Sequence, residues 1–249
     1  MEGLYDGEKK GCVREGRGQL VWSNGDKYAG DFHNGLRHGK GVFETKHGIR
    51  YEGCWRMSRR NGEGSQEWPN GERYNGHWEN DFPDGQGTWL RRSGRYSGEL
   101  RAGVRHGKGI LKFRGGAEYE GDWVHGRMEG YGVYIWPDAT IYKGEWEAGL
   151  RSGKGNLTLP TGERYTGEWK AGRKHGKGVW RWSNGRTRRG EWNNDQLVGW
   201  TSAEIFGDLS ALVTPRAPGV TVSRSSGSGN KKGQVKAKSP GNSPVRGLV

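Results

Sequence analysis

The large apolar side chains of this sequence fall two residues apart, in short bursts separated by polar and glycine-rich stretches. Tyr142-x-Gly144-x-Trp146 is one burst; Leu111 and Phe113, Tyr134 and Trp136, and Trp180 and Trp182 are others. A period of two puts each set on one face of a β-strand. The bursts come in pairs. The first reads Tyr-x-Gly-x-aromatic. The second follows Gly-x-Gly and ends in a turn signal such as Ser23-Asn24-Gly25, Pro69-Asn70-Gly71, Pro160-Thr161-Gly162 or Ser183-Asn184-Gly185. Asn-Gly tolerates positive φ and turns the chain tightly. Each pair therefore predicts one β-hairpin, and the next hairpin starts after the turn.

The hairpins keep register. Tyr5, Tyr28, Tyr51, Tyr74, Tyr96, Tyr119, Tyr142 and Tyr165 follow one another at 23 residues, with one step of 22 between Tyr74 and Tyr96. Glycine comes two residues after each tyrosine, and an aromatic four after in most units (Phe32, Trp55, Trp78, Trp123, Trp146, Trp169); Lys9 and Leu100 depart from this. Gly-x-Gly pairs run from Gly16/Gly18 to Gly176/Gly178. A ninth, degenerate unit starts at Arg188 and carries Gly190 and Trp192. A fixed period of this size marks a repeat architecture.

One hairpin is not stable alone, whereas stacked hairpins share their stability between neighbours. The expected fold is all-β: an elongated single-layer antiparallel sheet of tandem hairpins over residues 1–201, about eighteen strands and roughly 80 Å long. Such a sheet should curl into a trough, and we expect the repeated aromatics to line its inner face. Tyr119, Trp123, Tyr142, Trp146, Tyr165 and Trp169 are then candidate partner-binding residues that also hold the fold.

Composition changes this picture little. Apolar residues are 30% of the 249, mean hydropathy is −1.03 and net charge is +13, values that suit disorder. The 13 Trp, 10 Tyr and 48 Gly argue instead for a repeat. Cys12 and Cys54 are too few for a disulfide framework, and neither a membrane-spanning run nor a signal-peptide core is present. A cytoplasmic protein is expected.

The unit resembles the Membrane Occupation and Recognition Nexus (MORN) repeat, Tyr-x-Gly-x-Trp followed by Gly-x-x-x-Gly-x-Gly. Residues 142–155, Tyr-Lys-Gly-Glu-Trp-Glu-Ala-Gly-Leu-Arg-Ser-Gly-Lys-Gly, carry it in full. The likeness covers roughly residues 5–200. Ser58 and Asp81 stand where glycine is usual, and unit nine lacks its Tyr and its second Gly-x-Gly glycine; worn end units look like caps. The resemblance implies a scaffolding or targeting module of cytoskeletal, ciliary or membrane-associated assemblies. It also implies partners such as a helical segment or coiled coil, a second copy, or phosphoinositides. It brings no catalytic site.

Candidate chemistry is sparse. Gly39-Lys40-Gly41 and its counterparts do not complete a phosphate loop. His38, His106 and His175 recur at one turn position, so no metal site, cofactor or enzyme activity is expected. The carboxylates Asp31, Glu99, Asp122, Glu145, Glu168 and Glu191 recur beside the aromatic and predict cross-strand pairing with Lys or Arg. The turns carrying Arg37, Lys40, Arg59, Arg60, Arg105, Lys108, Arg151, Lys154, Lys174 and Lys177 predict a basic rail along one sheet edge, suited to an anionic membrane. Nucleic acid is the weaker reading, because the aromatics are needed to hold the stack.

After Trp200 the pattern shifts. Ile205, Phe206, Leu209, Leu212 and Val213 share a helical face, which predicts an amphipathic capping helix over residues 202–213. Residues 214–249 are basic and rich in Ser, Gly, Pro and Lys, a composition expected to be disordered. Ser239 and Ser243, each followed by proline, are candidate phosphosites.

Overall fold

The computed structural model describes residues 3–203 and the backbone of Ile205–Phe206. They form one open antiparallel sheet with no helix among the described residues. Eighteen strands follow chain order from Gly3–Lys10 to Gln196–Trp200, each paired with the next. Every unit is one hairpin: in unit seven, Ile141–Glu147 pairs with Leu150–Thr158. Its two-residue turn, Ala148-Gly149, has φ of 51° and 84°, the mirror-image turn whose twist matches the strands. The Asn-Gly signals lie elsewhere, in the loops between hairpins. There Trp22 and Gly25 donate to the carbonyls of Asp26 and Trp22 at 2.9 Å, and Asn24 Oδ1 accepts the Asp26 N–H at 3.0 Å. The 22-residue step has its cause here: Arg91 pairs with Gly94, leaving Arg92-Ser93 as a shortened link.

Aromatics and glycines share one face for a steric reason. A Cβ on Gly144 would stand 2.5 Å from Gly155 Cα and 2.6 Å from the Tyr142 hydroxyl. Glycine on both strands is what lets the tyrosine ring lie flat over the backbone. The hydroxyl then donates to the carbonyl three residues on, Tyr142 to Glu145 and Tyr28 to Asp31, each at 3.0 Å. Each tryptophan of the next unit wedges between two tyrosines. Trp146 meets Tyr119 and Tyr142 edge-on at 5.3 and 5.2 Å, and Trp169 meets Tyr142 and Tyr165 at 5.2 and 5.3 Å. Such geometry suits aromatic quadrupoles. The indole N–H is also satisfied, Trp146 donating to Gly132 O at 3.3 Å. The core is thus a ladder of rings running the length of the sheet.

Both ends break the ladder. Lys9 occupies the first tryptophan place, with Nζ 5.6 Å from the Tyr5 ring centre. In unit nine, Arg188 replaces tyrosine, and Trp200 pairs with Gly190 where other units pair their second Gly-x-Gly glycine. The guanidinium lies 4.9 Å from the Trp200 ring, which packs edge-on to Trp192 at 5.9 Å. The capping helix expected over 202–213 is corrected at Ile205–Phe206: these residues form a short strand paired with Thr187 and Arg186. The last long strand, Gln196–Trp200, spans only part of its partner, so backbone groups at Arg186–Thr187 need another strand. The rest of the expected helix lies outside the described residues, as does the tail.

Candidate functional site

The six aromatics expected to line an open trough are interior. Tyr119, Tyr142 and Tyr165 are 0% exposed, and Trp123, Trp146 and Trp169 are 3–4%. Burial holds their phenols, and those of Tyr28, Tyr51, Tyr74 and Tyr96, well above the ordinary value of 10.0. The expectation fails because the rings pack on one another and on basic side chains, leaving little area for a partner. Aromatics that keep partial exposure stand toward the interhairpin loops: Trp22, Trp68, Trp89, Phe113, Trp136 and Trp182. Their two-residue spacing after Gly-x-Gly was the signal for them.

A hollow of about 880 Å³ lies on the opposite face of units one to four. Its floor is glycine backbone at Gly7, Gly18, Gly30, Gly41, Gly53 and Gly64. Its walls include Ala29, Val42, Ser65 and Asn75, with Asp6, Arg17, Asp31, Lys40, Glu52 and Glu63. The hollow lies on the face opposite the one expected to carry the trough. Alternation identifies two faces but does not say which is hollow when one of them fills itself.

The basic rail divides between faces. Arg37, Arg60, Arg105 and Arg151 stand on the aromatic face, with guanidinium carbons 4.2–4.4 Å from the ring centres of Trp55, Trp78, Trp123 and Trp169. Arg37 Nη2 also donates to Ser58 O at 2.8 Å, and Arg60 Nε meets Asp81 Oδ1 at 3.1 Å. Lys174 lies 5.0 Å from the Trp180 ring centre. Burial lowers the pKa of Arg37, Arg105, Arg151 and Lys174. The four arginines clamp one hairpin to the next through cation–π contact, whereas Lys174 lies over the rings of its own hairpin. Lys40, Lys108, Lys154 and Lys177 are exposed on the hollow's face, opposite Cys54, Asp122, Glu168 and Glu191 of the following units; Lys108 forms an ion pair with Asp122. Arg59 is exposed beside Arg56 at a hairpin turn. A single continuous rail is therefore corrected.

The recurring carboxylates have a second role that spacing did not reveal. Each hairpin carries a bulge at the first Gly-x-Gly glycine, where the ladder shifts between Gly30 and Asp31. Gly39 adopts φ 55°, and the Asp31 carboxylate accepts the N–H of Lys40 at 2.9 Å. Glu99, Asp122 and Glu145 cap Lys108, Tyr131 and Lys154 in the same way at 3.0–3.2 Å. Units three and four carry Cys54 and His77 instead, and their bulge glycines open to φ 92° and 82° at Gly62 and Gly85. Cross-strand pairing is present too, with Arg17 3.5 Å from Asp31.

The MORN repeat model matches eight times, over residues 5–27, 28–46, 51–73, 74–94, 96–118, 119–140, 142–164 and 165–185. The chain belongs to the MORN repeat family. The matches stop before Arg188; the ninth unit, read from Gly190 and Trp192, forms a hairpin of Arg186–Asn193 with Gln196–Trp200. No curated protein matches the sequence. Among solved structures, it is similar to the SAS-4 TCP domain of Drosophila melanogaster in complex with a proline-rich motif of Ana2. Identity is 11% over 59% of this chain and 81% of that one, with a TM-score of 0.37. It is also similar to the TCP10 domain of Danio rerio CPAP in complex with a STIL peptide, at 10% identity over 81% and 100% and a TM-score of 0.37. At these scores the likeness carries no functional argument. Ser239 and Ser243 lie outside the described residues.

Proposed function

We propose that this MORN array is a non-enzymatic scaffold that holds a polypeptide segment of a partner protein on the face opposite its aromatic ladder. The observation that carries this reading is the glycine-floored hollow. Glycine leaves backbone open to close approach by another chain, and Ala29, Val42 and Ser65 present small side chains around it. The aromatic face is spent on its own packing. The ring-stacked cations are likewise engaged within the array, which disfavours the anionic-lipid reading built on them. The family resemblance suggests a cytoskeletal, ciliary or membrane-associated assembly as the setting.

Filling the hollow tests this. Replacing Ala29, Val42 and Ser65 by Arg together should leave the melting temperature within a few degrees, since none is fully buried. Proteins that co-purify with the wild-type chain from its native cell should be lost. Retention of every partner by a folded triple variant would sink the proposal.

A further inference from the structure

The two residues that flank each hairpin turn oppose each other on the hollow's face, at its outer margin. His33 faces Leu36, Arg101 faces Val104, and Val124 faces Arg127. This margin is unusual in what it leaves in water. Val13, Leu36, Phe82, Val104, Val124 and Leu150 are 38–57% exposed. Between them stand Arg56, Arg59, Arg101, Arg127, Lys170 and Arg173, all exposed. Among the described residues, none of these six has a carboxylate within ion-pair distance or an aromatic ring beneath it. The same margin carries two carboxylates, Glu79 and Glu147, and Glu147 accepts the Ser152 hydroxyl at 3.0 Å. Along this margin the six cations take no part in clamps or bulge caps, while Glu147 bonds Ser152 and His33 meets Glu15 at 2.8 Å.

We infer that this margin is a second docking surface, for an acidic, extended segment of a partner protein with an apolar residue every three or four positions. Charge complementarity fixes the sign. The chain's own tail is excluded by it, since residues 207–249 carry seven Lys or Arg and only Asp208 as an acid. Spacing fixes the conformation. Two strands advance about 9.6 Å along the sheet, and twist lengthens the path along its margin to roughly 10–12 Å. Three to four residues of extended chain cover that step at about 3.1–3.3 Å each. The twist also decides against a bilayer. Adjacent strands rotate by roughly 20–25°, so successive hairpins point in different directions and a plane meets only two or three of them. A flexible segment can follow the margin around. The surface is separate from the hollow and does not depend on it.

The test uses the full chain, a synthetic peptide of repeated Glu-Leu-Ser, the same peptide with Gln for Glu, and phosphatidylserine–phosphatidylcholine vesicles. The Glu peptide should bind at low salt and weaken as salt rises; the Gln peptide should not bind. Replacing Arg56, Arg59, Arg101 and Arg127 by Glu should weaken peptide binding at least tenfold with the melting temperature unchanged. Both proteins keep the basic tail, so binding that survives these substitutions belongs to the tail and overturns the inference. Failure to bind the peptide overturns it, as does a preference for the vesicles that the substitutions abolish. The hollow-filling variant should bind the peptide like wild type, which separates this surface from the hollow.

Discussion

The bulge glycine shows how much one side chain controls. A carboxylate immediately after the motif glycine ties down the backbone N–H across the hairpin, and glycine φ stays between 53° and 60° at Gly39, Gly107, Gly130 and Gly153. With Cys54 there, Gly62 relaxes to 92°. Cys54→Asp should therefore stabilise the array by about 1 kcal/mol, the net value of one hydrogen bond, as measured by denaturant unfolding. On the other face, Tyr142→Phe removes one hydroxyl bond and should cost about 1 kcal/mol. Gly144→Ala should cost more, because its Cβ meets backbone at 2.5–2.6 Å and must displace the ring. The buried tyrosines also set an alkaline limit. Below pH 10 folded and unfolded chains both hold their phenolic protons. Above it the unfolded chain ionises while burial keeps the folded phenols protonated, so stability falls as pH rises. Phenolate absorbance should appear together with loss of the β circular dichroism signal. Ionisation with the sheet intact would contradict this.

At the scale of the hairpin, the units are interchangeable because each contact is made with the neighbour. Tyr96 meets Trp123 at 5.7 Å, and Tyr119 meets Trp146 at 5.3 Å. Excising residues 119–141 should let Tyr96 receive Trp146 in the same geometry. The shortened chain should keep the wild-type circular dichroism per residue of array, whereas removing half a unit should unfold the flanking hairpins. The turns are less well optimised than the ladder. Ala102, Ala148 and Ala171 adopt φ of 48–51°, a left-handed conformation costing an L-residue roughly 1 kcal/mol. Asn at these places should raise the melting temperature. Strand pairing, unit boundaries and the identity of the core were legible from period-two alternation and the repeat. The bulge cap was not, because a carboxylate at a fixed place also suits a cross-strand ion pair.

For the whole molecule, the sequence tells which residues share a face but not what lies over that face. Tyr142 and Trp146 looked available to a partner. They are covered because Arg151, read from sequence as part of a charged edge, stacks instead on Trp169 and shields the ladder. The expected helix after Trp200 went the same way. Its apolar spacing fits a helix, yet Ile205 and Phe206 are held extended where the final hairpin leaves backbone exposed. Both misreadings come from neglecting what an adjacent hairpin needs.

The terminal substitutions bear on how such a gene can lengthen. A copy added ahead of Tyr5 would have to pack its tyrosine against Lys9, and one added after Trp200 would meet Arg188 where a tyrosine belongs. A copy inserted between Tyr28 and Trp192 meets matching rings on both sides, except ahead of unit five, where Leu100 stands in the tryptophan place. Duplication or loss of a unit is therefore expected to be tolerated best where neighbouring rings match, as between Tyr119 and Trp146 or Tyr142 and Trp169.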